Sequence, residues 1–119
     1  MRLWIGKYIA GVGLIHSLFG LIVFRATFAD IARDMLFNTV GWQPDRGFAF
    51  WFVTVGFFWI LLGLVLDHFE RAGQPLPRFL GPALGALTLV AIVIMPLSGW
   101  WLFFVPAAAL VFRGTPQAK

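Results

Sequence analysis

The feature that most constrains this fold is a run of 34 residues, positions 79–112, without a single charged side chain. The hydrocarbon core of a bilayer is about 30 Å thick, which an α-helix crosses in roughly 20 residues. Two more apolar stretches occupy positions 4–24 and 48–67, and charged residues make up 12% of the chain, against roughly 25% in soluble domains. The sequence therefore predicts an all-α transmembrane helical bundle.

The predicted bundle is a single domain, residues 1–119, with about four spans: 4–24, 48–67, 79–95 and 99–112. Pro96, Ser98 and Gly99 suit a tight turn, so the last two spans are expected to form a hairpin. Two complete crossings need roughly 40 residues, more than the 34 of this run. The last segment is therefore expected to be short or re-entrant, and the sequence leaves open whether it spans fully.

Basic residues indicate how the spans are oriented, because cytoplasmic connections carry an excess of lysine and arginine. One side of the predicted bundle carries three basic residues, Arg25, Arg33 and Arg46. The other side carries six: Arg2, Lys7, Arg71, Arg78, Arg113 and Lys119. We therefore predict that both termini are cytoplasmic and that residues 25–47 lie outside.

The first connection is expected to contain a helix of its own, over about residues 27–40. Thr27 followed by Asp30 is typical of a helix N-cap with an acid at the third helical position. Apolar residues then recur at helical spacing: Phe28, Ile31, Met35 and Leu36. Amphipathic helices of this kind lie in the membrane interface. The lipid bilayer is therefore the first expected partner of this chain.

Charge and composition argue against several other functions. The net charge is +4, but the nine basic residues form no run, so nucleic acid is not an expected partner. The absence of cysteine excludes thiolate chemistry and cysteine metal ligands. The only histidines, His16 and His68, are expected about 18 Å apart in depth, too far to share a haem. We predict no cofactor and no metal, and we interpret Asp67, His68 and Glu70 as a solvated helix end.

His16 is the strongest candidate for a functional side chain, because an ionisable group inside a span is costly and usually faces the bundle interior. We predict a ligand pocket at the outer end of the bundle, lined by His16, Thr54, Asn38, Trp42 and Arg46. One alternative is a structural imidazole, bonded to Ser17, Thr54 or a backbone carbonyl. Another is an enzyme that uses His16 as acid or base, although no catalytic set of residues is recognisable.

Small residues form a pattern around His16. Gly6, Gly13 and Gly20 recur every seven residues on the first span, and Gly56 and Gly63 do so on the second. A Gly81-x-x-x-Gly85 motif follows on the third. Small faces let helices approach closely in lipid, within one chain or between copies. A homo-oligomer, or a structural protein that assembles through its glycine faces, is therefore an alternative function.

Five local motifs extend over most of the chain: Trp4-Ile5-Gly6, Gly13-Leu14-Ile15-His16 with Phe19-Gly20, Phe37-Asn38-Thr39-Val40-Gly41, Arg46-Gly47-Phe48-Ala49-Phe50-Trp51-Phe52 and Met95-Pro96-Leu97-Ser98-Gly99-Trp100-Trp101. Together they resemble an uncharacterised family of small bacterial four-helix membrane proteins, a domain of unknown function. The resemblance implies the bacterial cytoplasmic membrane and assigns no activity or catalytic residue. Our leading hypothesis is a protein that binds or passes a small lipophilic molecule in an outer-leaflet pocket near His16.

Single cysteines can test the predicted topology, because the chain contains none of its own. Gln43→Cys lies in the connection predicted outside, and Gln74→Cys lies in the connection predicted inside. In intact cells, an impermeant thiol reagent should label Gln43→Cys and leave Gln74→Cys unlabelled until the membrane is permeabilised. Labelling of Gln74→Cys alone in intact cells would reverse the predicted orientation.

Overall fold

The computed structural model describes residues 4–113 of the chain, which fold into helices without any strand. The elements are α1 (Ile5–Val23), α2 (Arg25–Arg33), α3 (Pro44–Arg71), α4 (Leu80–Ile94), a 3₁₀ helix (Gly99–Phe103) and α5 (Phe104–Arg113). The predicted all-α class is therefore confirmed.

Two of these helices, α1 with 19 residues and α3 with 28, are long and apolar enough to cross a membrane. Helix α4 has 15 residues, and the apolar run Gly99–Phe112 is also shorter than a full crossing requires. Between them, the Ser98 hydroxyl accepts a hydrogen bond from the Trp100 amide, which starts the 3₁₀ helix. The last two predicted segments are thus helical, and four complete crossings remain a prediction.

Contacts between residues divide the chain into two compact units, and α1 and α3 contribute to both. The terminal unit consists of the described residues up to Ile9 and from Gly63 onward, and the central unit is Ala10–Leu62. In the terminal unit, α4 packs against the 3₁₀ helix and α5. Its buried apolar residues include Ile5, Ile9, Leu66, Leu84, Ile92 and Phe103.

Glycine allows helix backbones in each unit to approach more closely than a side chain would permit. In the central unit, a Cβ on Gly13 would lie 2.6 Å from the carbonyl oxygen of Gly56. In the terminal unit, a Cβ on Gly6 would overlap the backbone of Asp67 and lie 2.5 Å from the carbonyl oxygen of Gly63. These glycines are therefore used for contacts inside the chain.

Helix α2 begins earlier than the predicted interfacial helix. It spans Arg25–Arg33 in place of 27–40, so Thr27 lies inside the helix and not at its start. The residue before the first turn is Phe24, which makes no side-chain cap. Because α1 ends at Val23, a single residue joins the two helices and no separate capping segment exists. The predicted N-cap at Thr27 is wrong.

Helix α2 also ends earlier than predicted. The amide of Met35 bonds to the carbonyl of Ala32, and the amide of Leu36 bonds to the carbonyl of Ile31. This pair of bonds is the Schellman arrangement, and Met35 holds the position that glycine usually occupies, with a φ of 73°. The sequence contains no glycine there to indicate the end of the helix. For this reason the predicted end of the helix was placed too late, at the residue before Gly41.

Gly13 and Gly11 provide a matched test of the close helix contact. Gly13→Ala should destabilise the fold by about 1–3 kcal/mol, because its new Cβ would meet backbone atoms that cannot move aside. A Cβ on Gly11 meets nothing within 4 Å. Gly11→Ala should therefore be neutral or stabilising by up to about 1 kcal/mol, since alanine is the better helix former. Thermal unfolding in one detergent measures both, and equal stability of the two variants would contradict the contact.

Candidate functional site

His16 is held in the central unit by two contacts with Phe52 of α3. The two rings are stacked, with centroids 3.9 Å apart and planes 16° apart. Nε2 of His16 lies 2.8 Å from the carbonyl oxygen of Phe52. A carbonyl oxygen only accepts, so Nε2 carries the proton, and Nδ1 of the neutral ring is an acceptor. His16 therefore makes a hydrogen bond to a backbone carbonyl, and this bond fixes its tautomer.

Ser17, the next residue of α1, makes a parallel contact with α3. Its hydroxyl donates to the carbonyl oxygen of Val53 at 3.0 Å. Both side chains reach the backbone of α3 because Gly56 has no side chain. A Cβ on Gly56 would overlap the Ser17 hydroxyl and lie 3.1 Å from Cδ2 of His16. The buried Gly56 therefore makes room for both hydrogen bonds.

Three phenylalanine rings lie close to Phe52, the partner of His16. Phe19, Phe24 and Phe48 lie with their ring centroids 5.5 to 6.3 Å from that of Phe52. These distances are typical of favourable ring pairs. The half-buried imidazole of His16 thus lies beside a group of phenylalanine rings, in the central unit.

The other four predicted ligand-binding residues do not join His16. Thr54 is half buried on α3, but the hydrogen bond of His16 goes to Phe52, two residues earlier. Asn38 and Trp42 are exposed in the connection between α2 and α3. Within residues 4–113, no hydrogen bond or ring contact links any of the four to His16.

Arg46 belongs to a separate group at the start of α3. Its guanidinium donates to the carbonyl oxygen of Thr39 at 2.7 Å and to a carboxylate oxygen of Asp34 at 2.8 Å. The Arg46 side chain is 13% exposed, whereas that of Asp34 is 55% exposed. Arg46 thus links two parts of the connection between α2 and α3, and neither of these bonds involves His16.

A second polar group lies in the terminal unit, where Glu70 is buried. Its carboxylate oxygens accept hydrogen bonds from the amides of Ile5, at 3.2 Å, and Gly6, at 2.7 Å. These are the first residues of α1, whose N–H groups have no partner inside the helix. A carboxylate is favourable there because the helix N-terminus is electropositive. Glu70 therefore acts as a cap supplied by α3.

Asp67 is buried beside this cap and pairs with two cations. Its carboxylate lies 2.7 Å from Nζ of Lys7 and 2.7 Å from Nε of Arg71. The interpretation of this helix end as solvated is therefore wrong for Asp67 and Glu70, and His68 alone of the three is exposed. Within residues 4–113, no group of three His, Cys, Asp or Glu could hold a metal ion.

The hydrogen bond of His16 to a backbone carbonyl is the contact that the structural alternative named, although Phe52 was not identified as its owner. The cap formed by Glu70 was not anticipated. A detectable signal existed for Glu70: it lies three residues after Asp67, so the two carboxylates share a helix face. No signal in the sequence pairs Phe52 with His16, because aromatic residues occur throughout this part of α3.

A model of a family of unknown function (DUF6463) matches residues 1–117 of the chain. The chain belongs to this family. No curated protein and no solved structure matches it. Membership confirms the resemblance to an uncharacterised family and brings no activity with it.

Glu70 offers a test of the cap in the terminal unit. Glu70→Ala should lower the free energy of unfolding by about 1–3 kcal/mol, because it leaves two buried amides without an acceptor. Glu70→Gln keeps one acceptor oxygen and should lose less. His68→Ala changes an exposed side chain of the same helix end and should stay within about 0.5 kcal/mol of the native protein. If Glu70→Ala unfolds like His68→Ala, the cap contributes nothing to stability.

Proposed function

We propose that this chain is a multi-pass protein of the bacterial cytoplasmic membrane, with about four spans and both termini in the cytoplasm. We further propose that it binds or passes a small lipophilic molecule near His16, in the outer half of the membrane. The molecule would carry a hydrogen-bond donor, such as a hydroxyl or amide group.

The exposed apolar surface of α1 and α3 supports the membrane location. Only 33% of the apolar window of α1, and 28% of that of α3, is buried within the chain. A helix in the core of a soluble protein is mostly buried, and soluble monomers rarely expose large contiguous apolar patches. Lipid would cover these faces without the free-energy cost of exposing apolar side chains to water. The six-to-three distribution of basic residues supports the orientation.

The hydrogen bonding of His16 supports the binding proposal, and it is the observation that carries it. Nε2 is occupied by the Phe52 carbonyl, and Nδ1 has no hydrogen-bond partner among the described residues. An acceptor without a partner is costly in an apolar environment. A ligand with an apolar body and one donor would satisfy Nδ1 and could pack its apolar part against the nearby phenylalanine rings.

The two alternatives have less support. Assembly through the predicted glycine faces would need them to be free, but a Cβ on Gly6, Gly13, Gly56 or Gly81 would meet atoms of this chain within 3 Å. Gly85 has room, since a Cβ there would lie 3.9 Å from Ala107. Acid–base catalysis would benefit from a second titratable group beside His16. Among residues 4–113, no titratable side chain bonds to the imidazole.

Native mass spectrometry of protein extracted in mild detergent tests the proposal. The wild-type protein should release a bound lipophilic molecule. His16→Leu should lose it and also lose about 1 kcal/mol of stability, since one hydrogen bond disappears. His16→Gln can still donate to the Phe52 carbonyl, so it should fold normally but hold less ligand.

Ser17→Ala is the matched control for this experiment. It removes the neighbouring hydrogen bond to α3 and leaves the imidazole in place, so it should retain the ligand. A wild-type protein without any co-purified molecule would overturn the binding proposal. Equal ligand content in the native protein and His16→Leu would do the same.

A further inference from the structure

The connection between α2 and α3, residues 34–42, exposes large apolar side chains. Met35 is 81% exposed, Leu36 67%, Phe37 90% and Trp42 100%. These four side chains bury little within the chain, so they gain almost nothing from folding itself. We propose that residues 34–42 form a lipid anchor, which inserts these side chains into the uncharged outer interface of the bilayer.

The backbone of this anchor has a defined conformation. Met35 and Leu36 have φ values of 73° and 66°, a left-handed region that such bulky residues rarely adopt, and Asn38, of a residue type that adopts it more readily, has a φ of 55°. Such conformations persist only where the surrounding structure imposes them. The Thr39 hydroxyl donates to the carbonyl oxygen of Leu36 at 2.8 Å. The polar backbone is thus held by hydrogen bonds while the apolar side chains stay exposed.

Arg46 links the anchor to the start of α3. Its guanidinium bonds to Asp34 at the start of the anchor and to the carbonyl of Thr39 near its end. It therefore holds both sides of the apolar segment with one largely buried side chain. We assign Arg46 a positioning role in place of the ligand-binding role predicted from the sequence.

Two observations identify the bilayer interface as the occupant. First, the anchor lies in the segment that joins α1 to α3, the two helices long enough to span, so we expect it near a membrane surface. Tryptophan and other aromatic residues are enriched at that level. Second, the charges around it cancel, because Arg25, Arg33 and Arg46 are matched by Asp30, Asp34 and Asp45. An apolar segment without net charge around it needs no anionic lipid.

This inference rests on the membrane location proposed above and not on ligand binding at His16. Its test uses the full chain in phosphatidylcholine vesicles, with one cysteine at a time carrying an environment-sensitive fluorophore. Phe37→Cys and Trp42→Cys report on the anchor. Gln43→Cys is the polar neighbour, and Ile15→Cys, on an exposed apolar position of α1, reports on the membrane location.

Spin-labelled lipids should quench the fluorophores of Phe37→Cys and Trp42→Cys several-fold more than that of Gln43→Cys, and aqueous iodide should show the reverse order. Adding anionic lipid should change neither result. Combining Phe37→Cys with Arg46→Gln should at least halve its quenching by lipid, whereas combination with Arg25→Gln should not. Unchanged quenching in the Arg46→Gln variant would overturn the positioning role.

Strong iodide quenching at Phe37→Cys and Trp42→Cys would overturn the anchor, and lipid quenching at Ile15→Cys would show that the membrane location still holds. Absence of lipid quenching at Ile15→Cys would instead overturn the location and the anchor together. Protection of the anchor labels from both quenchers would indicate cover by protein, which also contradicts the inference.

Discussion

A short side chain of one helix reaches the backbone of another where the two backbones approach closely, and glycine allows such an approach in both units of this chain. In the central unit, the bare Gly56 admits Ser17 and His16 to the carbonyls of α3. In the terminal unit, Gly6 lies against the backbone of Asp67, and its own amide bonds to Glu70. In each unit, hydrogen bonds between helices therefore lie beside a glycine contact.

These hydrogen bonds pair backbone groups with side chains of the complementary kind. Imidazole and hydroxyl donors meet the carbonyls of Phe52 and Val53, and the Glu70 carboxylate meets the amides at the start of α1. In a low-dielectric surrounding, each bond is worth more than it would be in water, and each unpaired group costs more. The same reasoning singles out Nδ1 of His16, the ring nitrogen that has no hydrogen-bond partner among the described residues.

Much of the fold could be predicted from the apolar pattern, because long uncharged stretches must be helical if they lie in lipid. The end of α2 could not, since Met35 takes a left-handed conformation that nothing in its residue type favours. The contacts of Arg46 were equally hidden: the sequence indicates an arginine near the membrane surface, but only the folded connection brings Asp34 and Thr39 to its guanidinium. The residues of the predicted pocket therefore do not form one group. His16 bonds to Phe52, and Arg46 belongs to a separate group with Asp34 and Thr39.

By itself, the sequence determined the helical class, the approximate positions of the two long apolar helices and the glycines at which helices could approach. These features follow from composition and periodicity, which act locally along the chain. Tertiary structure alone decided the partners: Phe52 for His16, the start of α1 for Glu70, and the exposed state of Phe37 and Trp42. A hydrogen bond needs its two atoms to lie about 3 Å apart. Local sequence patterns do not specify which residues distant in sequence come that close, so only the folded chain decides the partners.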